Sequence, residues 1–172
     1  CTALSRVNVP VNVTRIYPSA FKNCASLSSV KYADGGSIDK ICDEAFRGCK
    51  SLTAFVAPHG LKELGKYAFA DCIGITEFTV PDGVTFVDIG VLSGCVGLKS
   101  FTAPFIGENA ENADRGYLGY TFAAGSASVG VTYVPESLKK VVVTRARRIH
   151  ANAFRSLKNI DEIVLPSVLT SI

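Results

Sequence analysis

The chain has 172 residues, of which 48% are hydrophobic and 19% charged, and its formal net charge is +3 at pH 7. This apolar content is sufficient for a continuous core, and so small a net charge gives no reason to expect a nucleic-acid partner. No stretch approaches the roughly 18 apolar residues of a membrane-spanning helix, and no secretory signal peptide is recognisable.

A ten-residue phrase recurs along the chain, in which a Cys is followed three positions later by an aliphatic anchor and then by further apolar residues. The phrases begin at Cys1, Cys24, Cys49, Cys72 and Cys95. Their anchors are Leu4, Leu27, Leu52, Ile75 and Leu98, separated by steps of 23, 25, 23 and 23 residues. A period in the twenties with an L-x-x-L-x-L core is typical of a leucine-rich repeat solenoid.

The second half of each unit carries two apolar residues three positions apart, followed by an Ala-Phe pair. The pairs are Ala20-Phe21, Ala45-Phe46, Ala68-Phe69 and Ala153-Phe154, and Val91-Leu92 replaces the pair in the fourth unit. The first halves alternate with period two, which predicts short strands stacked into a parallel sheet about 4.8 Å apart. We therefore expect an α/β fold, a right-handed solenoid with this sheet on its concave face. Short strands and helical turns form the other wall, and each Phe points into the core.

The rhythm is interrupted after Leu98 and returns at the anchors Leu138 and Ile160, which brings the predicted number of strands to seven. The unit between Leu98 and Leu138 is enlarged, and we expect residues 105–135 to form a loop on one face of a single array over 1–172. The chain lacks Met, begins within a repeat at Cys1 and ends within another at 167–172. These features predict a segment of a longer protein.

The combination of A-F-x-x-C, L-x-x-L-x-L-P and a 23-residue step resembles the BspA-like leucine-rich repeat family over essentially the whole chain. The enlarged unit shares this resemblance through residues 118–122 and 133–143. Val91-Leu92 and Leu157, which stands at a Cys position, depart from the pattern but remain apolar. The resemblance implies a cell-surface or secreted bacterial protein that adheres to host matrix, to another cell surface or to a glycan, with no catalytic motif.

Five of the six cysteines share one repeat phase, so they are expected to form a column of buried free thiols. A spacing near 5 Å exceeds the Cβ separation of about 3.5–4.5 Å that a disulfide requires. Disulfides and a metal site are the weaker alternatives, and no C-x-x-C pair supports zinc. Cys42 is out of phase and is predicted either to be exposed or to pack against the next unit.

No sequence pattern predicts catalysis, a metal or a cofactor. His59 and His150 belong to no metal-binding motif, and nucleophile-elbow, P-loop and dinucleotide motifs are missing from the sequence. The acidic and amide residues of 107–116 favour a solvated turn over a calcium loop, because their spacing does not match an EF-hand. The sequon at Asn12 carries little weight, since such tripeptides arise often by chance.

Three sets of residues are candidates for ligand contact. On the outward side of the predicted sheet these are Lys99, Lys139, Glu77 and Glu162. In the enlarged unit they are Tyr117, Tyr120 and Tyr133, for which packing of the loop onto the solenoid is the alternative. The basic run of Arg145, Arg147, Arg148 and His150 is either a solvated face or a contact for an acidic glycan or partner.

The sequence therefore predicts a non-enzymatic surface module for protein or glycan binding. Two alternatives remain open at this point: a structural spacer that displays another domain, and the repeat part of a larger surface enzyme.

Overall fold

The computed structural model describes residues 1–127, 133–155 and 157–172, which wind into a parallel β-solenoid of about seven turns. The first halves of the units supply β1 (Arg6–Val9), β3 (Ser29–Tyr32), β6 (Glu77–Thr79), β8 (Ser100–Ala103), β9 (Lys140–Val143) and β10 (Glu162–Val164). The second halves supply β2 (Arg15–Ile16), β4 (Lys40–Ile41), β5 (Glu63–Leu64) and β7 (Phe86–Val87). All of the pairings between these strands are parallel.

The first sheet has the register that the sequence anchors predict. Phe78 pairs with Phe101, Phe101 with Val141, and Val141 with Ile163 along the order β6-β8-β9-β10. The strand alternation is also as predicted, because buried and half-buried residues alternate along β8 and β9.

The first sheet is interrupted at the third unit, which the repeat pattern does not predict. β1 pairs with β3, but the next unit joins the sheet only through an isolated bridge between Ala54 and Glu77. The step of 25 residues between the anchors of the second and third units places two additional residues beside this interruption. A small cavity of about 110 Å³ lies there, over Phe46 and Phe69.

The second half of each unit ends in hydrogen-bonded turns rather than in the predicted helical turns. The residue before the Ala-Phe pair is left-handed, with φ of 58° at Ser19, 56° at Glu44 and 55° at Tyr67. A left-handed residue interrupts the helical backbone path, so each turn closes separately. The fourth unit places Gly90 at this position, with φ of 72°.

The Ala-Phe phenylalanines form a column inside the solenoid. The ring centroids of Phe21 and Phe46 are 5.3 Å apart and those of Phe46 and Phe69 are 5.2 Å apart, with nearly parallel planes. Phe46 and Phe69 are only 1% exposed, and the substitutes Val91 and Leu92 are fully buried. The predicted inward direction of these side chains is therefore confirmed.

The enlarged unit contains a 3₁₀ helix (Ala113–Arg115) and α1 (Leu118–Thr121). The backbone N–H of Leu92 donates to Thr121, just as that of Phe69 donates to Val91 in the preceding unit. Phe122, at 1% exposure, then occupies the place of the repeat phenylalanine. Thr121-Phe122 thus replaces the Ala-Phe pair, so part of the enlarged unit continues the wall.

Replacement of Phe69 by Ala is expected to lower the free energy of unfolding by about 3–5 kcal/mol, because it leaves a cavity between two stacked units. Chemical denaturation followed by circular dichroism measures this change. Tyr17→Ala is the matched control, since the Tyr17 ring is 71% exposed. A loss below about 1 kcal/mol for Phe69→Ala would contradict its place in the column.

Candidate functional site

The charged candidates on the first sheet lie together on its outward side. Glu77, Ser100, Lys140 and Glu162 are consecutive partners in one register row across four strands. The Nζ atom of Lys140 is 2.9 Å from a carboxylate oxygen of Glu162. Both side chains are about half exposed, so this ion pair contributes little to stability, on the order of 0–1 kcal/mol.

The other two sheet candidates, Lys99 and Lys139, are exposed at the residue before their strands. The Nζ of Lys139 donates to the backbone oxygen of Asn159 at 3.1 Å. The residues between these charges on the sheet, such as Thr102 and Val142, are small and half-buried. We use the name sheet-face row for the charged residues of this surface, which are Glu77, Lys99, Lys139, Lys140 and Glu162.

The three tyrosine candidates of the enlarged unit do not form one surface. Tyr117 is 7% exposed and its hydroxyl donates to the backbone oxygen of Ala124 at 2.9 Å. Tyr120 is 3% exposed, and its ring meets that of Tyr117 edge to face at 6.1 Å. The loop-packing alternative therefore describes these two, and their rings are not open to a ligand. Tyr133, at 47% exposure, remains accessible.

A buried carboxylate ties the acidic stretch of the enlarged unit to the solenoid. Glu108, at 6% exposure, accepts hydrogen bonds from the Arg115 guanidinium, from the Tyr120 hydroxyl at 3.0 Å and from the Asn112 amide at 2.6 Å. Its backbone oxygen accepts from Val87, at the end of β7. We call Glu108, Arg115, Asn112 and Tyr120 the Glu108 cluster.

The Glu108 cluster keeps its carboxylate charged. Burial alone would raise the pKa of Glu108, but the hydrogen bonds from Arg115, Asn112 and Tyr120 outweigh it and leave the pKa below its ordinary value. Burial, followed by the hydrogen bond to Glu108, raises the pKa of Tyr120. The stretch predicted as a solvated turn is therefore partly an anchoring element. Nothing in the sequence spacing separated Glu108 from its exposed neighbours Glu111 and Asp114.

The in-phase cysteines form the predicted column of free thiols. Cys24, Cys49, Cys72 and Cys95 are buried, and Cys1 at the edge is exposed. The thiols of the last three buried members donate to the phenylalanine backbone oxygens of the preceding units, at 3.1–3.2 Å. Burial is the main cause that raises the pKa of Cys49 to about 11 and that of Cys95 to about 12. Such thiols stay protonated, which suits a packing role.

The remaining candidates occupy separate places. Cys42 is buried at 9% exposure, which favours the packing alternative, and burial raises its pKa. His59 and Asn12 are exposed. Within 1–127, 133–155 and 157–172, no group of three or more His, Cys, Asp or Glu residues could hold a metal ion. None of the helices in those residues has the length and hydropathy of a transmembrane span.

The basic run lines an open groove of about 520 Å³ between the enlarged unit and the two last turns. Its polar wall contains Asp82, Thr85, Glu111, Arg145, Arg147, Arg148, His150 and Thr170, over a floor that includes Val84, Pro104, Phe105 and Ala146. Arg145 donates to the backbone oxygen of Asp82 at 3.0 Å, and Nε2 of His150 is 3.2 Å from that of Ala110. We call this the basic groove. Its contact between Asp82 and Arg145 could not be predicted from the sequence, because the two residues are 63 positions apart.

Comparison with protein families gives a match over most of the chain. The family described as BspA type Leucine rich repeat region matches residues 1–112 and 133–172 in six copies. A search of curated proteins finds no significant match.

Solved structures resemble the fold at low sequence identity. The leucine-rich repeat protein TpLRR of T. pallidum has a TM-score of 0.55 and 22% identity, over 99% of this chain and 61% of that one. A leucine-rich repeat protein from Eubacterium ventriosum has a TM-score of 0.57 and 16% identity, over 96% and 50%. The pneumococcal vaccine antigen PcpA has a TM-score of 0.55 and 16% identity, over 96% and 51%. The chain thus spans between half and about three-fifths of the length of these structures.

The stability that the Glu108 cluster contributes is expected to be lost in acid. Because the folded-state pKa of Glu108 is lowered, its contribution is present above about pH 4.5 and falls as the carboxylate is protonated below that value. Glu108→Gln is therefore expected to be less stable than the parent protein at pH 7 by about 1–3 kcal/mol. Denaturant unfolding at pH 7, 5 and 3 should show this difference shrink at pH 3. Glu111→Gln is the exposed control, and a difference for Glu108→Gln that is constant with pH would contradict the charged cluster.

Proposed function

We propose, from the fact that this chain belongs to the BspA-type leucine-rich repeat family, that it is a non-enzymatic recognition module displayed at a cell surface or secreted. Its ligand is a host matrix protein, another cell surface or a glycan, bound without a cofactor. The proposal rests on one observation. The repeats form a scaffold along the chain, and charged side chains lie together on two exposed surfaces of it, the sheet-face row and the basic groove.

The sheet-face row supports binding because its charges are on rigid strands. Glu77, Lys140 and Glu162 share one register row across neighbouring strands, so their positions are fixed by backbone hydrogen bonds. Lys99 and Lys139 extend the row on its exposed side. Binding residues on a rigid scaffold lose little conformational freedom when a partner docks, which favours recognition.

In this proposal the buried thiols have a packing role. The strongest nucleophiles of the chain are cysteines, and burial raises the pKa of Cys49 and Cys95. Thiolates, rather than thiols, are the reactive form, so the column serves packing. His150 contacts a backbone oxygen, and no His–Cys pair is among the hydrogen bonds of the described residues.

A structural spacer is the second candidate, because much of the sheet face lacks the side chains that dominate protein interfaces. Between the charges it presents Ser100, Thr102 and Val142, all half-buried, and aromatic and Arg residues are the usual hot spots. A spacer would use the solenoid only as a stiff stack of units.

Binding of the isolated chain to a panel of matrix proteins and glycans tests the proposal. We expect at least one saturable interaction, measured by biolayer interferometry. If the sheet-face row makes the contact, Lys99→Glu with Lys139→Glu should weaken it at least about tenfold through charge reversal. Lys50→Glu with Lys158→Glu is the control. Both lysines are exposed, lie outside the strands and occupy the same position in their repeats. A folded chain that binds no member of the panel would contradict recognition and favour the spacer.

A further inference from the structure

The basic groove is lined by arginines that form no ion pair within the described residues. The chain has eight arginines, and Arg15, Arg47 and Arg115 form ion pairs within the described residues. Of the other five, Arg145, Arg147 and Arg148 line this one groove and are exposed. A guanidinium presents several N–H donors in a planar fork that fits a carboxylate or sulfate. Three such forks in one groove point to an acidic ligand.

The architecture explains why these arginines face an open space. The backbone of Arg148 forms an isolated parallel β-bridge with Ser171, and the N–H of Ile149 donates to the backbone oxygen of Ser171. Residues 148–149 therefore continue the wall that the second halves of the units form. β7 is the preceding strand of that wall, and the enlarged unit intervenes after it. The groove lies between the end of the wall near β7 and Arg148, and the turn at Ala110 and Glu111 forms one of its sides.

The groove also contains acceptors and hydroxyl groups, which narrows the ligand class. Asp82 accepts from the Thr144 hydroxyl, and Glu111 is exposed. Thr85 and Thr170 add exposed hydroxyls. The carboxylates of Asp82 and Glu111 would accept hydrogen bonds from ligand hydroxyls. The apolar floor residue Phe105 is 6% exposed, so the groove offers no aromatic anchor for a peptide side chain.

We propose that the basic groove binds a uronic-acid polysaccharide. Arg145, Arg147 and Arg148 would bind its carboxylates, while Asp82 and Glu111 would accept from its hydroxyls. The groove volume of about 520 Å³ lies within the range of about 300–1,000 Å³ that is usual for ligand sites. This inference rests on the proposed recognition function and names the ligand class of one surface.

Titration calorimetry of the full chain with defined probes tests the inference. Hyaluronan oligosaccharide carries carboxylates as its only acidic groups, and polygalacturonate oligosaccharide supplies the same group from a different polysaccharide. Heparin carries sulfate groups in addition to carboxylates. We expect both uronates to bind, with an affinity that falls as salt rises. Arg147→Ala with Arg148→Ala should weaken binding at least about tenfold, since charge-assisted hydrogen bonds are lost. Arg147→Lys should weaken it less, because the charge remains and only the fork is lost.

Three controls separate the outcomes. Lys50→Ala with Lys158→Ala removes the same charge elsewhere and should leave binding unchanged, and circular dichroism checks the fold of each variant. Dextran should not bind, because it has no carboxylate. Equal binding of poly-glutamate would replace the polysaccharide with an acidic peptide and overturn the inference. Absence of uronate binding, or uronate binding unaffected by the arginine variant, would also overturn it. If another member of the matrix and glycan panel still binds, the recognition function stands without this ligand.

Discussion

The contact between phenylalanine carbonyls and cysteine thiols joins the stacked units from Phe21 to Cys95 and sets their register. The backbone oxygen of Phe46 accepts from the N–H of Cys49, which begins the next unit, and from the thiol of Cys72, which begins the unit after that. The pattern repeats one unit later, where Phe69 accepts from Cys72 and Cys95. Each buried oxygen thereby has two donors, and each thiol has a fixed neighbour. The same contact is made across the longer step of 25 residues, where the Cys49 thiol donates to the backbone oxygen of Phe21 at 3.2 Å.

Left-handed turn positions reinforce this register. Asn23, Gly48, Asp71 and Gly94 occupy one phase of successive units, each with φ between 60° and 74°. Polar side chains and glycines alternate there, because a Cβ at Gly48 would lie 2.5 Å from the Asn23 amide oxygen and one at Gly94 would meet the Asp71 carboxylate. The side chain of one unit therefore occupies the space that the glycine of the next leaves. The stack is thus specified at the turns as well as in the core.

Period and apolar pattern predict the features that repeat, and they fail where a unit departs from the period. The pairing of Phe78, Phe101, Val141 and Ile163 follows from the anchors, as does the buried phenylalanine column. The replacement of Ala-Phe by Thr121-Phe122 does not, because it requires knowing which part of the enlarged unit returns to the wall. The burial of Tyr117 and Tyr120 could not be predicted for a similar reason, because composition does not distinguish a loop tyrosine that faces the core from one that faces solvent.

The candidate sites divide along the same line. The sheet-face row could be predicted, because strand alternation determines which side chains point outward. The Glu108 cluster and the basic groove could not, since they depend on where residues 105–127 lie against the second wall. The repeats supply the stacked core, and the enlarged unit supplies one side of the groove lined by Arg145, Arg147 and Arg148. The buried column and the two charged surfaces are therefore made of different residues of one stack.

Alkylation of individual cysteines in the native protein tests the thiol column most directly. The account predicts that Cys1 reacts with iodoacetamide at once, because it is exposed, whereas Cys72 and Cys95 react only as fast as the whole chain unfolds. Peptide mass spectrometry over a time course, with and without denaturant, measures each rate. Alkylation of Cys72 at the rate of Cys1 in the folded protein would show that the column is open, and it would contradict the register on which the structure is built.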